Sequence, residues 1–214
     1  MPNILIETDR CLIRPLAITD ATGIFELDSN PNVHAFLGKN PIKTMEEAEN
    51  AIKFIQKQYA DLGIGRWAII DKANGDFVGW TGFKYIIEPI NGHVNYHDLG
   101  YRLVERYWGT GIATETAKAC VKYAFETMNL EAIYGICDVE NLGSKNVLQK
   151  CGLTPIAIFD FDDTPHYWFS LQRKDWDVRR YEQISTKSRD RGSLDDRLSN
   201  WRFQRSGSKA EIPL

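Results

Sequence analysis

Apolar residues recur at helical spacing in two long stretches of the chain. The first stretch begins behind Thr44 and Glu47, whose T-x-x-E spacing is that of a capping box at a helix N-terminus. The second begins behind Gly111 and carries a continuous apolar stripe suited to packing on a sheet. A shorter helix is predicted at residues 141–151, ended by Gly152. The two long stripes contain Ala48, Ala51, Ile52, Ile55, Tyr59 and Leu62, and Ile112, Ala113, Thr116, Ala117, Cys120, Val121, Ala124 and Phe125.

Strand-like runs alternate with these helices. A turn at Asn74-Gly75 joins two of the runs, and the polar residues 162–165 join the last two into a closing hairpin. Because helices cross between strands, the pattern predicts an α/β protein. The predicted strands are residues 11–16, 66–71, 77–87, 93–104, 131–137, 156–161 and 167–171.

Length and composition limit the classes of protein to which the chain can belong. Its 214 residues, 43% of them hydrophobic, suffice for one domain with a core and an appendage. No apolar run is long enough to span a membrane and no signal peptide is visible, so we expect a cytoplasmic protein without a membrane partner. The net charge of −3 argues against a nucleic-acid partner. Cys11, Cys120, Cys137 and Cys151 show no C-x-x-C spacing, so we expect free thiols and no metal site.

The most informative stretch is RYWGTGIATE, residues 106–115, where a predicted strand meets the second long helix. Gly109 and Gly111 let the backbone turn sharply and bring bare N–H groups close to a ligand. The helix directs its free N–H groups and the positive end of its dipole to the same place, an arrangement that binds pyrophosphate. The spacing matches neither a dinucleotide-binding motif nor a P-loop. An ordinary strand-to-helix turn is the alternative interpretation.

This stretch resembles the coenzyme A pyrophosphate loop, Arg/Gln-x-x-Gly-x-Gly/Ala, of the GNAT acetyltransferase superfamily. Further stretches resemble, in the same order, the motifs of its ribosomal-protein alanine/serine N-acetyltransferase branch. Among the departures from that pattern, residue 98 is Asp where Glu is commoner and residue 153 is Leu rather than Phe. The matching stretches are residues 8–16 with Asp20, 67–70 with Gly75, Val78, Gly79 and Gly82, 98–103, 141–153, and 166–171 with Asp175 and Trp176.

The resemblance implies a GNAT fold, a mixed and mostly antiparallel central sheet of about seven strands flanked by helices. The matching stretches extend over residues 8–176, and we predict residues 1–176 to be the acetyltransferase domain. Residues 177–214 form a polar, net basic extension, too polar to bury much apolar surface, with a short helix possible at about 194–203.

The resemblance also implies an activity, the transfer of an acetyl group from acetyl-CoA to a primary amine without a metal. The branch points to a protein or peptide N-terminal α-amine as the acceptor partner. Small-molecule amines such as polyamines, amino acids or antibiotics remain an alternative, and so does a catalytically inactive acyl-CoA-binding module. In the family the segment at residues 33–40 borders the acceptor. A homodimer is a possible assembly.

The family's site residues are carried over position by position. Asp98 is expected to take the acceptor's proton through water, a backbone N–H near Leu103 to bind the oxyanion, and Ser144 to protonate the departing thiolate. The expected coenzyme contacts are Leu103, Val104, Arg106, Tyr107, Trp108, Gly109, Thr110, Gly111, Ile112, Ala113, Asn141 and Asn146.

Each of these side chains also has a plain structural interpretation. Asp98 could face solvent or pair with Arg102, Ser144 could be a polar residue of a first helical turn, and Asn141 could be an N-cap. Tyr101 and Tyr167 are the alternative acids, although buried aromatic packing is the commoner role for a tyrosine.

Overall fold

A computed structural model of the chain describes residues 6–179, in which eight strands form one sheet. The strand order is β1-β2-β3-β4-β5-β6-β8-β7, and every neighbouring pair is antiparallel except β5 and β6. The expected mixed, mostly antiparallel sheet is confirmed; the strand count is eight rather than about seven because a two-residue strand pairs with β2. The strands are β1 Ile6–Glu7, β2 Cys11–Pro15, β3 Arg66–Asp71, β4 Phe77–Ile86, β5 Tyr96–Leu103, β6 Ala132–Asp138, β7 Thr154–Phe161 and β8 Thr164–Gln172.

Within residues 6–179 the sheet is accompanied by the α-helices α1 Ala21–Asp28, α2 Met45–Leu62, α3 Ile112–Glu126 and α4 Leu142–Lys150, and by short 3-10 helices at Ile18–Asp20 and Glu105–Tyr107. The predicted capping box is confirmed, because the Glu47 N–H donates to Thr44 Oγ1 at 3.2 Å and the Thr44 N–H donates to Glu47 Oε2 at 2.9 Å. Asn141 caps α4 by accepting from the Ser144 N–H at 3.0 Å. Local side-chain chemistry thus sets where these helices begin.

The helices cover both faces of the sheet. Neighbouring residues of β3 show this, because side chains alternate between the faces of a strand. Ala68 belongs to a buried cluster with residues of α1 and α2, whereas Ile69 belongs to a cluster with Ile112 of α3. The coverage of both faces is that of an α/β protein.

The parallel strands β5 and β6 are paired at one position only, Asp98 with Tyr134. Both strands continue beyond this pair, β5 to Leu103 and β6 to Asp138, without further register between them. Two parallel strands that part in this way leave backbone N–H and C=O groups unpaired along both inner edges. The opening lies beside the loop that leads into α3.

The first compact unit of the chain ends at Arg173 and contains all eight strands and α1 to α4. Residues 173–179 are helical. Most of the predicted extension, 177–214, including the helix considered at 194–203, lies outside the described residues. Within residues 6–179, no helix is long and apolar enough to cross a membrane.

A buried ion pair explains the spacing of Arg14 and Asp20 in the N-terminal motif. Nη1 and Nη2 of Arg14 donate to the Asp20 carboxylate at 2.7 Å, and Asp20 also accepts from the Ala17 N–H at 2.9 Å. The two side chains are only 14% and 6% exposed. The pair therefore ties β2 to the turn that leads into α1.

We expect Asp20→Ala to lower the free energy of unfolding by about 3 kcal/mol, because it leaves the Arg14 guanidinium buried without a counter-charge. Urea unfolding measures the change. The matched control is the double variant Arg14→Met with Asp20→Ala, which should be the more stable of the two because no unpaired charge remains. A double variant that is less stable than Asp20→Ala would contradict this account.

Candidate active site

The glycine loop, residues 106–111, presents bare backbone to open space. Gly109 and Gly111 have φ angles of +73° and +85°, a region that glycine adopts far more readily than other residues. A Cβ added to Gly109 would meet no atom within 4 Å. The backbone can therefore approach a ligand closely at this point.

The start of α3 adds hydrogen-bond donors to this surface. Gly111 is the N-cap and provides no side-chain cap, and an early backbone bond of the helix runs from the Glu115 N–H to the Gly111 carbonyl at 3.0 Å. The first N–H groups of an α-helix have no hydrogen-bond partner within the helix, and the N–H groups of Ile112 and Ala113 stand at this position in α3. Together with the helix dipole they form a site suited to a phosphate group.

Side chains of the glycine loop hold its shape from within. The Thr110 hydroxyl donates to the Tyr107 carbonyl at 2.7 Å, and the Trp108 indole N–H donates to the Leu103 carbonyl at 2.8 Å. Arg106 is bonded to Glu26 and lies over the Tyr107 ring, so its charge is already compensated. Backbone donors are thus the main contribution of the loop to anion binding.

The inner edge of β5 presents further unpaired backbone groups. The Val104 N–H donates to the Val78 carbonyl on β4 at 2.9 Å. Because residues of an antiparallel strand alternate in the direction of their backbone bonds, Leu103 directs its N–H away from β4 and toward the opening. The structure places the expected oxyanion donor at the gap between β5 and β6.

Asp98 lies at the point where β5 and β6 separate, and its partner is Arg66. The Arg66 guanidinium donates to Asp98 Oδ2 and to the Asp98 carbonyl, both at 2.6 Å, and each side chain is 13% exposed. Asp98 Oδ1 is buried and has no hydrogen-bond partner among residues 6–179. Burial raises the pKa of this carboxyl group, and the Arg66 charge holds it below the value that burial alone would give. Neither structural interpretation of Asp98, solvent exposure or pairing with Arg102, matches this environment.

Arg102 pairs instead with Asp28 at the end of α1, at 2.6 Å. The guanidinium groups of Arg66 and Arg102 both lie over the indole of Trp80, at 5.3 Å and 5.0 Å from its centre. Nε2 of His34, in the segment expected to border the acceptor, lies 3.8 Å from Asp28 Oδ1. Burial and the Arg102 charge lower the pKa of His34, so its imidazole is neutral at pH 7.

Ser144 contacts Tyr101 across the opening. The two hydroxyl oxygens are 3.0 Å apart, and the Tyr101 hydroxyl donates to the Ser144 carbonyl at 2.8 Å. Burial raises the pKa of Tyr101, so its phenol is protonated at neutral pH. Asp98 and Tyr101 are three positions apart on β5, and their side chains leave opposite faces. The expected base, Asp98, and the expected acid, Ser144 with its contact Tyr101, therefore flank the opening from its two sides.

Of the remaining predicted residues, some form hydrogen bonds within the protein and one is exposed. Asn141 uses its carboxamide oxygen for the α4 cap, and Asn146 is exposed on α4. Tyr167, one of the two alternative acids, accepts a hydrogen bond from Lys145 Nζ at 3.1 Å. Tyr101, the other, is the tyrosine that contacts Ser144.

Arg66 is the site residue that sequence reasoning missed. It lies in register with Gly82 and Gly100 on the next two strands, and a Cβ on Gly100 would come within 2.7 Å of the guanidinium. Glycine inside a strand often marks the close approach of another group. Gly100 inside β5 was the available signal, but the group that uses its space can be identified only from strand register.

These groups fit acetyl-CoA in three respects. Backbone donors at a helix start suit the pyrophosphate, the unpaired strand edges suit the amide groups of the pantetheine arm, and polar side chains flank the gap where a thioester would lie. Residues 106–113 would hold the first part and the Leu103 N–H the second. Val104 has both backbone groups engaged, because its N–H donates to the Val78 carbonyl and its carbonyl accepts from the Tyr107 N–H, both at 2.9 Å.

Known proteins show the same architecture. A family model described as an acetyltransferase (GNAT) domain matches residues 10–154. The FsC-acetyl coenzyme A-N(2)-transacetylase of Aspergillus fumigatus is 27% identical over 200 residues, covering 86% of this chain and 82% of that protein. The spermidine N(1)-acetyltransferase of Escherichia coli is 24% identical over 144 residues, covering 66% and 72%.

Solved structures agree at the level of the fold. The ribosomal-protein-S5-alanine acetyltransferase of Vibrio fischeri superposes with a TM-score of 0.65 at 17% identity, covering 81% of this chain and 99% of that one. The family match runs from the turn before β2 to the start of β7 and includes the glycine loop and the opening. The chain therefore belongs to the GNAT acetyltransferase family and is an acetyl-CoA-dependent N-acetyltransferase.

Proposed function

We propose that the acceptor is the α-amine of a protein or peptide N-terminus. The observation that supports this proposal is that carboxylates around the segment expected to border the acceptor already have ion-pair or hydrogen-bond partners. A polyamine carries several ammonium groups and is best bound by several uncompensated carboxylates, whereas an α-amine carries one positive charge and is partly neutral at pH 7 (pKa ~8).

The carboxylates of this region are already engaged. Glu26 is bonded to Arg106, Asp28 to Arg102 and Asp98 to Arg66. Glu105 accepts from the side-chain amides of Asn30 at 2.6 Å and Asn32 at 3.0 Å. An arginine neutralises three of these carboxylates, and neutral amides occupy the oxygens of Glu105. This arrangement favours an acceptor with one amine over a polycation.

A small-molecule amine is the second candidate. It is supported by the relative from Aspergillus fumigatus, whose name gives an N(2)-transacetylase activity and whose match extends over 86% of this chain. The exposed carboxylates of Asp160, Asp162 and Asp163 could attract such an amine. Asp162 and Asp163 both have positive φ angles, 48° and 59°, as residues of a tight hairpin turn do, which favours a turn role for these two.

We assign the chemical roles as follows. Asp98, through water, accepts the proton of the amine; the Leu103 N–H stabilises the oxyanion; and Ser144, hydrogen-bonded to Tyr101, protonates the thiolate. The positions of Asp98 and Ser144 on opposite sides of the opening support an amine that enters from one face and a thiol that leaves toward the other.

The acceptor proposal predicts a preference that steady-state kinetics can measure. We expect kcat/KM for a peptide with N-terminal Ala or Ser to exceed that for spermidine by at least about tenfold, the order of one charged contact. The matched control is the same peptide with a blocked N-terminus and a free lysine. A higher value for spermidine or another small amine would replace the proposal by the second candidate, and coenzyme binding without turnover would indicate an inactive module.

The glycine loop predicts a selective loss of coenzyme affinity. Gly109→Val and Gly111→Val should each weaken coenzyme A binding about tenfold or more, because valine is strained at positive φ and its side chain fills the approach to the backbone. Calorimetry measures the affinity. Gly75→Val is the matched control, since Gly75 has a φ of +78° and open space around its Cβ position but lies in the β3–β4 turn. Unchanged affinity in folded Gly111→Val would refute the loop assignment.

Asp98 and Ser144 should affect rate more than coenzyme affinity. We expect Asp98→Asn and Ser144→Ala to lower kcat by about 10²-fold or more at saturating acetyl-CoA. Asp98 accepts a proton only as the carboxylate, and this form is lost as the pH falls through the raised pKa of Asp98. The acid limb of the kcat/KM profile should therefore lie above the usual carboxyl range, and it should disappear in Asp98→Asn.

Two further variants separate chemistry from folding in this experiment. Asp98→Glu retains a carboxylate and should keep an acid limb, and Tyr101→Phe removes only the hydroxyl that contacts Ser144. Wild-type turnover and an unchanged pH profile in both Asp98→Asn and Ser144→Ala would show that other groups carry the proton transfers.

A further inference from the structure

The turn between β1 and β2 is attached to the start of α3 by Arg10. Arg10 Nη1 donates to the Thr110 carbonyl at 2.9 Å, and Nε donates to Glu115 Oε2 at 2.7 Å. The Arg10 backbone N–H donates to Glu115 Oε1 at 3.0 Å, and the Thr8 hydroxyl donates to the same oxygen at 2.7 Å. One arginine therefore bonds the glycine loop and the first turn of the helix at once.

The bond to the Thr110 carbonyl determines the direction of a neighbouring donor. The C=O and N–H groups of a trans peptide point to opposite sides of the chain. With the Thr110 carbonyl directed at Arg10, the Gly111 N–H of the same peptide plane points away from it. Gly111 has great conformational freedom, so without this bond the plane could rotate and turn the N–H elsewhere.

We propose that Arg10 is a positioning residue for the coenzyme pyrophosphate, and that it acts by orienting the Thr110–Gly111 peptide plane. This inference rests on the proposed role of the glycine loop. It adds a residue about a hundred positions away in the sequence to the coenzyme site.

The charge of Arg10 is not the basis of the effect. Glu115 compensates it directly, and hydrogen bonds from Thr8 and Arg10 lower the pKa of Glu115 although partial burial opposes them, so this carboxyl group is ionised at neutral pH. A compensated guanidinium contributes little long-range attraction for phosphate. What remains is the directed hydrogen bond to the loop.

The surroundings of Arg10 allow the residue to be replaced without disturbing the core. Its side chain is 46% exposed. An open cleft of about 540 Å³ borders Arg10, Thr110 and Ile112. Lys72 lines the same cleft, but its ammonium group bonds Glu7 and the Thr8 carbonyl, so it provides a cation in the same region that is directed at the β1–β2 segment.

The test is the comparison of two acetyl donors in Arg10→Gln. S-acetylpantetheine has the thioester of acetyl-CoA but lacks the pyrophosphate. We expect kcat/KM for acetyl-CoA to fall about tenfold, the order of one charge-assisted hydrogen bond, and kcat/KM for S-acetylpantetheine to change less than about twofold. Calorimetry with coenzyme A should show the same loss of affinity without turnover, whether or not the wild type uses the shorter donor.

Controls separate the possible explanations. Lys72→Met should leave coenzyme affinity within about twofold of the wild type; a loss as large as that of Arg10→Gln would assign the effect to charge. A purely structural role for Arg10 would lower the unfolding midpoint and affect both donors equally. Unchanged coenzyme affinity in Arg10→Gln would overturn the proposal. If Gly111→Val still loses affinity, the assignment of the glycine loop to the pyrophosphate stands without Arg10. If affinity is unchanged in both variants, the loop assignment is wrong as well.

Discussion

The active site depends on one interruption in the backbone pairing of the sheet. β5 and β6 are hydrogen-bonded neighbours in the strand order, yet they share a single register pair, Asp98 with Tyr134. Buried backbone groups require partners, so an unpaired edge inside a sheet is costly unless a ligand or solvent satisfies it. The family's thioester substrate has amide groups along its arm that can do so. The glycine loop at the end of β5 and α4 after the end of β6 then bring a phosphate site and a hydroxyl to the same opening.

Charge compensation is the second organising feature of the site. The guanidinium groups of Arg66 and Arg102 neutralise Asp98 and Asp28, and both lie over the Trp80 ring. A buried ion pair of this kind contributes little net stability, but the loss of either partner is costly. The pairs therefore keep the carboxylates in defined positions.

Much of the fold could be predicted because its signals are local. The capping box at Thr44, the cap at Asn141, the turn at Gly75 and the glycine loop each depend on residues within a few positions of one another. The strand bounds were less accurate, since β5 begins at Tyr96 rather than at residue 93. The two-residue β1 was missed because so short a strand has no period of its own and is defined by its pairing with β2.

The sequence by itself determined the family and the order of the helices and of the strands after β1, and it predicted the stretch that meets the coenzyme, because caps, periodicity and glycine spacing are properties of neighbouring residues. Only the tertiary structure decided the partners of the charged groups: Arg66 for Asp98, Asp28 for Arg102, and Arg10 for Thr110 and Glu115. These contacts join residues from 32 to 105 positions apart. The Arg66–Asp98 pair follows from strand register, and a shift of one residue in register would place its two side chains on opposite faces. The other contacts depend on where α1, α3 and the β1–β2 turn lie against the sheet.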